Sequence, residues 1–170
     1  CSGLTLVDIP STVTSIGNSA FVGCEHLYEI AIPNGVTSIG NYAFSGCTEL
    51  SKIILPETLT SLGEGAFEQC MNFDTIILPS SLTNIPTKCF YLAAGLSSLE
   101  IPTSITSIGN EAFAYCVNLY YIIFYSTTPP TLGDSVFDGT NDFYKIYVPS
   151  ESLDAYKAAW SQYANKIYSI

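Results

Sequence analysis

The chain has no arginine, and it has one histidine, one tryptophan and one methionine among 170 residues. Charged residues make up only 12% of it. Each scarcity excludes something. Five lysines stand against fifteen Asp and Glu, for a formal net charge of −10. A nucleic-acid binder displaces counterions from phosphate with clustered Lys or Arg, and this composition has neither the number nor the sign. An anionic membrane surface is disfavoured for the same reason. No run of 18 or more apolar residues occurs, so no segment reads as a membrane-spanning helix. The remainder is apolar: 48% hydrophobic residues over this length suffice for one core and one domain, and they exclude disorder.

What is abundant is repetition. The stretch VTSIGNSAFVGC at 13–24 returns as VTSIGNYAFSGC at 36–47 and as ITSIGNEAFAYC at 105–116. Cys1, Cys24, Cys47 and Cys70 lie 23 residues apart, and Cys116 lies two periods beyond Cys70 with Ala93 at the intermediate position. Self-similarity at such a period marks a solenoid, in which each unit covers the apolar face that its neighbour cannot cover alone. The chain opens at Cys1, in phase with the repeat and without an initiator Met. That reads as a fragment or a mature form cut from something longer, with a lipid-anchored N-terminal cysteine as the alternative.

The columns of the repeat have separate duties. Three residues after the Cys comes an apolar position: Leu4, Leu27, Leu50, Phe73, Leu96, Leu119 and, in a degraded last unit beginning at Thr140, Phe143. Apolar residues at offsets six and eight (Ile30 and Ile32, Ile53 and Leu55, Ile122 and Phe124) alternate as in a short strand with one face inward. The in-register copies predict a parallel sheet on the inner face. Offset nine is Pro at Pro10, Pro33, Pro56, Pro79, Pro102 and Pro149, which ends each strand because Pro has no ladder N–H; Tyr125 is the exception. Offsets twelve and fifteen carry a second apolar pair spaced for a bending segment. Gly17, Gly40, Gly63 and Gly109 follow, where φ is positive or backbones come close, and Pro86 replaces Gly in the fourth coil. Then comes a polar residue, a small residue and Phe, a combination that predicts a short helical turn on the outer wall. Phe21, Phe44, Phe67, Phe90 and Phe113 should stack inside.

This pattern, C-x-x-L-x-x-I-x-I-P-x-x-V-T-x-I-G-x-x-A-F, resembles the BspA-like leucine-rich repeats of bacterial surface and secreted proteins. The resemblance covers nearly the whole chain. It implies an α/β leucine-rich-repeat solenoid, mainly β, that is non-enzymatic, exported, bound to no cofactor, and linked to adhesion or host-protein binding. The ending STTPPTLGDSVFDG followed by IYVPSESLDAYKAAW resembles the unit that closes such arrays. Within one domain, residues 1–149 read as the array of about six and a half coils and 150–170 as its cap and tail. Leu153, Tyr156, Trp160 and Tyr163 recur at helical spacing from 150 to about 165, so a capping helix should cover the open end, with Trp160 in the cap core.

Candidate chemistry is thin. The six cysteines form a column and side chains in one column point the same way, which is poor geometry for disulfides. A small buried hydrophobe accounts for Cys better than zinc or redox chemistry does. His26, between Glu25 and Leu27, falls at a coil corner, away from the inward thiols. The carboxylate pairs Glu25 and Glu29, Glu64 and Glu68, and Asp134 and Asp138 show no partner that would shift a pKa. Asp138, Gly139 and Asp142 do not fit the spacing of a calcium loop.

A face remains. Offsets four, five and seven point outward from the inner strand, and near the C-terminal end they gather Tyr120, Tyr121, Ile123, Tyr144, Lys145 and Tyr147. Ile54 and Ile77 extend an apolar row toward the middle. Tyrosine offers a large, stiff, amphipathic contact, so these residues are candidates for a protein partner. Cross-strand aromatic pairing that steadies the sheet is the competing account. A structural spacer and a glycan-binding module are the alternative functions.

Overall fold

The computed structural model describes residues 1 and 3–170, arranged as a solenoid of about seven turns. The first three coils each contribute two short strands: β1 (Leu6–Val7) and β2 (Ser15–Ile16), β3 (Glu29–Ala31) and β4 (Ser38–Ile39), β5 (Lys52–Ile54) and β6 (Ser61–Leu62). The fourth contributes only β7 (Asn84–Ile85). The fifth and sixth contribute β8 (Ser98–Ile101), β9 (Ser107–Ile108), β10 (Tyr121–Phe124) and β11 (Thr131–Leu132). The last coil gives β12 (Lys145–Val148), then helix α1 (Leu153–Ala159) between two 3-10 turns, and a returning strand β13 (Ile167–Ser169). No helix among the described residues is long and apolar enough to cross a membrane.

Every strand pair is parallel; most keep the 23-residue register, such as Ile30 opposite Ile53 and Ile122 opposite Leu99, whereas Ser107 opposes Thr131, Tyr121 opposes Lys145 and Ile146 opposes Ile167. Inside, the Phe column stacks as expected. Ring centroids are 5.2 Å apart for Phe21 and Phe44, 5.7 Å for Phe44 and Phe67, 5.6 Å for Phe67 and Phe90, and 5.5 Å for Phe90 and Phe113. Phe44, Phe67, Phe90 and Phe113 are fully buried, as are Leu27, Leu50, Leu96 and Leu119 in the neighbouring column. Full burial of each such side chain stabilises the fold by about 1.5–3 kcal/mol, so the columns are the principal cohesive element of the stack.

The polar columns bind one coil to the next. The Asn18 side chain accepts the Asn41 N–H at 2.8 Å, Asn41 accepts from Glu64 at 3.0 Å, and Asn110 accepts from Asp134 at 2.9 Å. Thr60 and Thr106 each donate a hydroxyl to the threonine carbonyl one coil before, at 3.1 Å. The thiols of Cys47, Cys70 and Cys116 donate to the Phe carbonyls of the preceding coils at 3.1–3.2 Å.

Several expectations are corrected. The outer wall contains turns instead of helical turns, and its N–H groups point along the solenoid: Phe44 donates to Ala66 and Phe67 to Cys89, both at 2.9 Å. Two positions of each turn have positive φ, filled by Tyr42 and Gly46 in the second coil and by Gly65 and Gln69 in the third. Of the column glycines, Gly40, Gly63 and Gly109 meet the second of the two expected demands, close approach: a Cβ on Gly40 would lie 2.8 Å from the Gly17 carbonyl carbon, while Gly17 itself has open space beside it. The segment after the prolines is not merely a bend, because it forms the two-residue strands β2, β4, β6, β7, β9 and β11.

The parallel sheets are also divided. Residues 75–78 of the fourth coil form no strand, so the inner sheet is split into β1-β3-β5 and β8-β10-β12-β13. The second set breaks between β6 and β7. Pro86 contributes to that second break, since it has no N–H to give to the third coil where Gly40 donates to Ile16 and Gly109 to Ile85. At the C-terminal end the helix is shorter than its spacing implied, and β13 pairs with β12 beyond it. Trp160 does lie in the cap core; its indole donates to the Pro130 carbonyl at 3.0 Å, and the Tyr156 hydroxyl donates to Ser126 at 2.9 Å. The capping segment thereby fastens the irregular sixth coil.

Candidate functional site

The strands β10, β12 and β13 bring a row of aromatic side chains to the solvent face of the inner sheet. Tyr121 opposes Lys145 and Ile123 opposes Tyr147, while Tyr147 opposes Tyr168 across the next pair. The Tyr121 and Tyr147 rings meet edge to face with centroids 6.4 Å apart, and Tyr147 meets Tyr168 at 6.2 Å. Lys145 Nζ lies 5.3 Å from the Tyr168 ring centroid, a cation–π arrangement that fixes the otherwise free ammonium over the row. Tyr121 and Tyr168 are exposed, and Ile123 and Tyr147 are half-buried. Tyr120 is exposed at the coil corner beside the row.

Tyr144 does not belong to this face. It is 5% exposed and stacks on Phe137 with centroids 5.4 Å apart, whereas Phe143, expected inside, is 84% exposed. The Asn141 side chain accepts the Phe143 N–H at 2.9 Å, and that local turn rotates the following residue inward. Alternation then runs unbroken through Tyr144, Lys145 and Ile146. Burial pushes the Tyr144 phenol well above its ordinary value.

Ile54 and Ile77 are exposed along the same sheet face, Ile77 at 81%. They border a shallow depression of about 620 Å³ with Tyr28, Lys52 and Asp74. A second groove, of about 380 Å³, lies between Ile77 and the pair Tyr121 and Tyr125, with Ser98 and Glu100 along it. The Tyr125 hydroxyl donates to Glu100 at 2.9 Å, and this bond to a carboxylate raises the phenol's pKa. The face thus contains Tyr168, Glu100 and Tyr125 beyond the candidates named for it from spacing. Tyr168 was detectable: the triplet Lys-Ile-Tyr at 145–147 returns at 166–168, which marks a second strand of the same kind. The partnership of Glu100 and Tyr125 had no such signal.

Elsewhere several titratable groups are paired across coils. His26 Nδ1 lies 3.1 Å from Glu49, Lys52 lies 2.5 Å from Glu29, and Lys88 lies 3.4 Å from Glu111. Tyr42 donates to Glu64 at 2.9 Å. The Cys24, Cys47, Cys70, Cys89 and Cys116 thiols are buried and unpaired, while Cys1 is exposed. Burial raises Cys47 and Cys116 to about 12, so both are neutral thiols at physiological pH. Among the described residues no group of three or more His, Cys, Asp or Glu is arranged to hold a metal ion.

The model of the BspA type leucine rich repeat region matches residues 1–120 and 83–168, in six copies. The chain belongs to this family. Several solved structures share its fold. The leucine-rich repeat protein of T. pallidum matches with a TM-score of 0.73 and 26% identity, over 94% of this chain and 83% of that one. A leucine-rich cell surface protein of Faecalibacterium prausnitzii matches with a TM-score of 0.55 and 26% identity, over 88% of this chain and 55% of that one. The pneumococcal vaccine antigen PcpA shares the fold at 18% identity and a TM-score of 0.66, over 92% of this chain and 42% of that one. The chain therefore spans about half or less of the last two proteins. No curated protein matches it significantly.

Proposed function

We propose that this BspA-type chain is a non-enzymatic, surface-displayed or secreted protein-interaction module, that its contact face is the C-terminal half of the inner sheet, and that its role is adhesion or the binding of a host extracellular protein. The observation that carries the reading is the contiguous row of exposed Tyr121, half-buried Tyr147 and exposed Tyr168 with Lys145 laid across it. Such rings give large contact area at low entropic cost, and a single charged group among them supplies direction. The surface location is supported by two proteins of similar structure, a cell surface protein and a vaccine antigen. The rings stand at 70° and 46° to one another, which suits an irregular protein surface better than a flat row of sugar rings.

The test is a panel of immobilised serum and extracellular-matrix proteins, read by surface plasmon resonance with wild type and with Tyr121→Ala/Tyr147→Ala/Tyr168→Ala. A partner bound by wild type should be lost in the triple variant while its far-ultraviolet spectrum is unchanged. Binding retained by the variant would remove this face. A glycan array run on the same pair separates a sugar ligand, and silence of both panels would favour the spacer.

A further inference from the structure

The chain departs from its own repeat at two places that meet in space. In the fourth coil, residues 76–79 carry the same Ile-Ile-Leu-Pro run as 53–56 of the third coil, yet residues 75–78 form no strand and Ile77 stands 81% exposed. In the sixth coil, Tyr125 occupies the column that Pro10, Pro33, Pro56, Pro79, Pro102 and Pro149 fill elsewhere. Between them the fifth coil presents Ser98, Glu100 and Pro102, and the three coils enclose the groove of about 380 Å³. A proline at position 125, as the pattern has it, would remove the phenol that forms one wall and its bond to Glu100. The Glu100 carboxylate is exposed in this groove, accepts the Tyr125 hydroxyl at 2.9 Å through Oε2, and forms no ion pair among the described residues.

We propose that the groove receives an arginine side chain presented by an extended segment of a protein partner, its methylene stem against Ile77 and its guanidinium between the Glu100 carboxylate and the rings of Tyr121 and Tyr125. This deepens the interaction-module reading and rests on it for the partner. The chemistry is complementary at each point. A guanidinium is planar, stacks on aromatic faces, is weakly hydrated and binds carboxylates through paired N–H donors, which an ammonium does not match. The formal charge of −10 supplies a field that draws a cationic partner.

The probe is the capped pentapeptide Gly-Leu-Arg-Leu-Gly, titrated into isotope-labelled protein and followed by amide chemical shifts, beside the same peptide with neutral citrulline for arginine. Shifts at Ile77, Ser98, Glu100, Tyr121 and Tyr125 are expected. Affinity should fall at least tenfold with citrulline, with Glu100→Gln and with Ile77→Ser, and should weaken as salt is raised. Glu100 and Ile77 are exposed, and an unchanged wild-type-like spectrum outside the groove verifies that each variant is folded. Equal binding of both peptides, full binding by Glu100→Gln, or shifts confined to another face overturns the proposal. If arginine peptides leave the groove unshifted while the tyrosine triple variant loses its protein partner, the groove assignment alone falls. If Tyr147→Ala/Tyr168→Ala, which leaves the groove residues in place, keeps the partner while the arginine peptide shifts the groove, the assignment of the tyrosine row alone falls.

Discussion

Truncating one ring of the phenylalanine column should cost far more in the middle of the stack than at its N-terminal end. Phe67 is fully buried, lies face to face with Phe44 at 5.7 Å and Phe90 at 5.6 Å, and meets Phe73 edge-on at 6.2 Å. Phe→Ala in a rigid core costs about 3–5 kcal/mol, and aromatic pairs add about 0.5–1.5 kcal/mol each beyond burial. Three pairs are lost here, so Phe67→Ala should fall at or above the top of that range, about 5 kcal/mol. Phe21 is half-buried and has a single stacked neighbour, Phe44 at 5.2 Å. Half the burial and one pair place Phe21→Ala at about 2 kcal/mol. Urea unfolding followed by far-ultraviolet circular dichroism measures both, with the slope checked because a solenoid opens in parts when one joint is weakened. Equal costs for the two variants, or a cost below about 1 kcal/mol for Phe67→Ala, would refute the stacked-column reasoning.

Gly40→Ala should destabilise by several kcal/mol, since the new Cβ would lie 2.6 Å from the Asn18 nitrogen and 2.8 Å from the Gly17 carbonyl carbon, both backbone atoms. Gly17→Ala, with nothing within 4 Å of its Cβ, should be nearly neutral in the same melting experiment. In native protein an aromatic disulfide reagent should titrate only Cys1 rapidly, and the other thiols only after denaturation. Stability should fall as pH rises above about 9: the Cys47 and Cys116 thiols keep their protons to about 12 when folded, against 9.0 ordinarily, so the unfolded chain releases protons first. Each thiol contributes up to about 1.4 kcal/mol per pH unit across that window, and Cys47→Ala/Cys116→Ala should flatten the decline in urea midpoint between pH 9 and 10.

The inner columns were legible because a 23-residue period repeats the same steric demand in every coil, and the side chains that meet it are large and apolar. Phe44, Leu50 and Ile53 were assigned inward from spacing alone, and all three are buried. The outer wall was less legible, since a polar residue followed by Ala and Phe is compatible with either a helical turn or the left-handed turn that Tyr42 and Gly46 adopt. Register failed where an extra residue entered. A coil can absorb one insertion at any of several turns, and the Asn141 side chain bonding to the Phe143 N–H decided that Tyr144 faces in. The missing fourth-coil strand had no sequence signal at residues 75–78 themselves, because Ile76, Ile77 and Leu78 repeat the Ile53, Ile54 and Leu55 of the third coil. On the candidate face, Tyr121, Ile123, Lys145 and Tyr147 were readable from alternation. Glu100 and Tyr125 acquire significance only when three coils are seen side by side.

Hydroxyl-radical footprinting of the folded protein, read by mass spectrometry at single aromatic residues, tests most directly the claim that repeated side chains are enclosed and the departures from the repeat are displayed. Tyr121, Tyr125, Phe143 and Tyr168 should be oxidised readily, while Phe44, Phe67, Phe90, Phe113 and Tyr144 stay protected until the chain is unfolded. Oxidation of Phe67 or Phe90 in the folded protein, or of Tyr144 in preference to Phe143, would contradict the account.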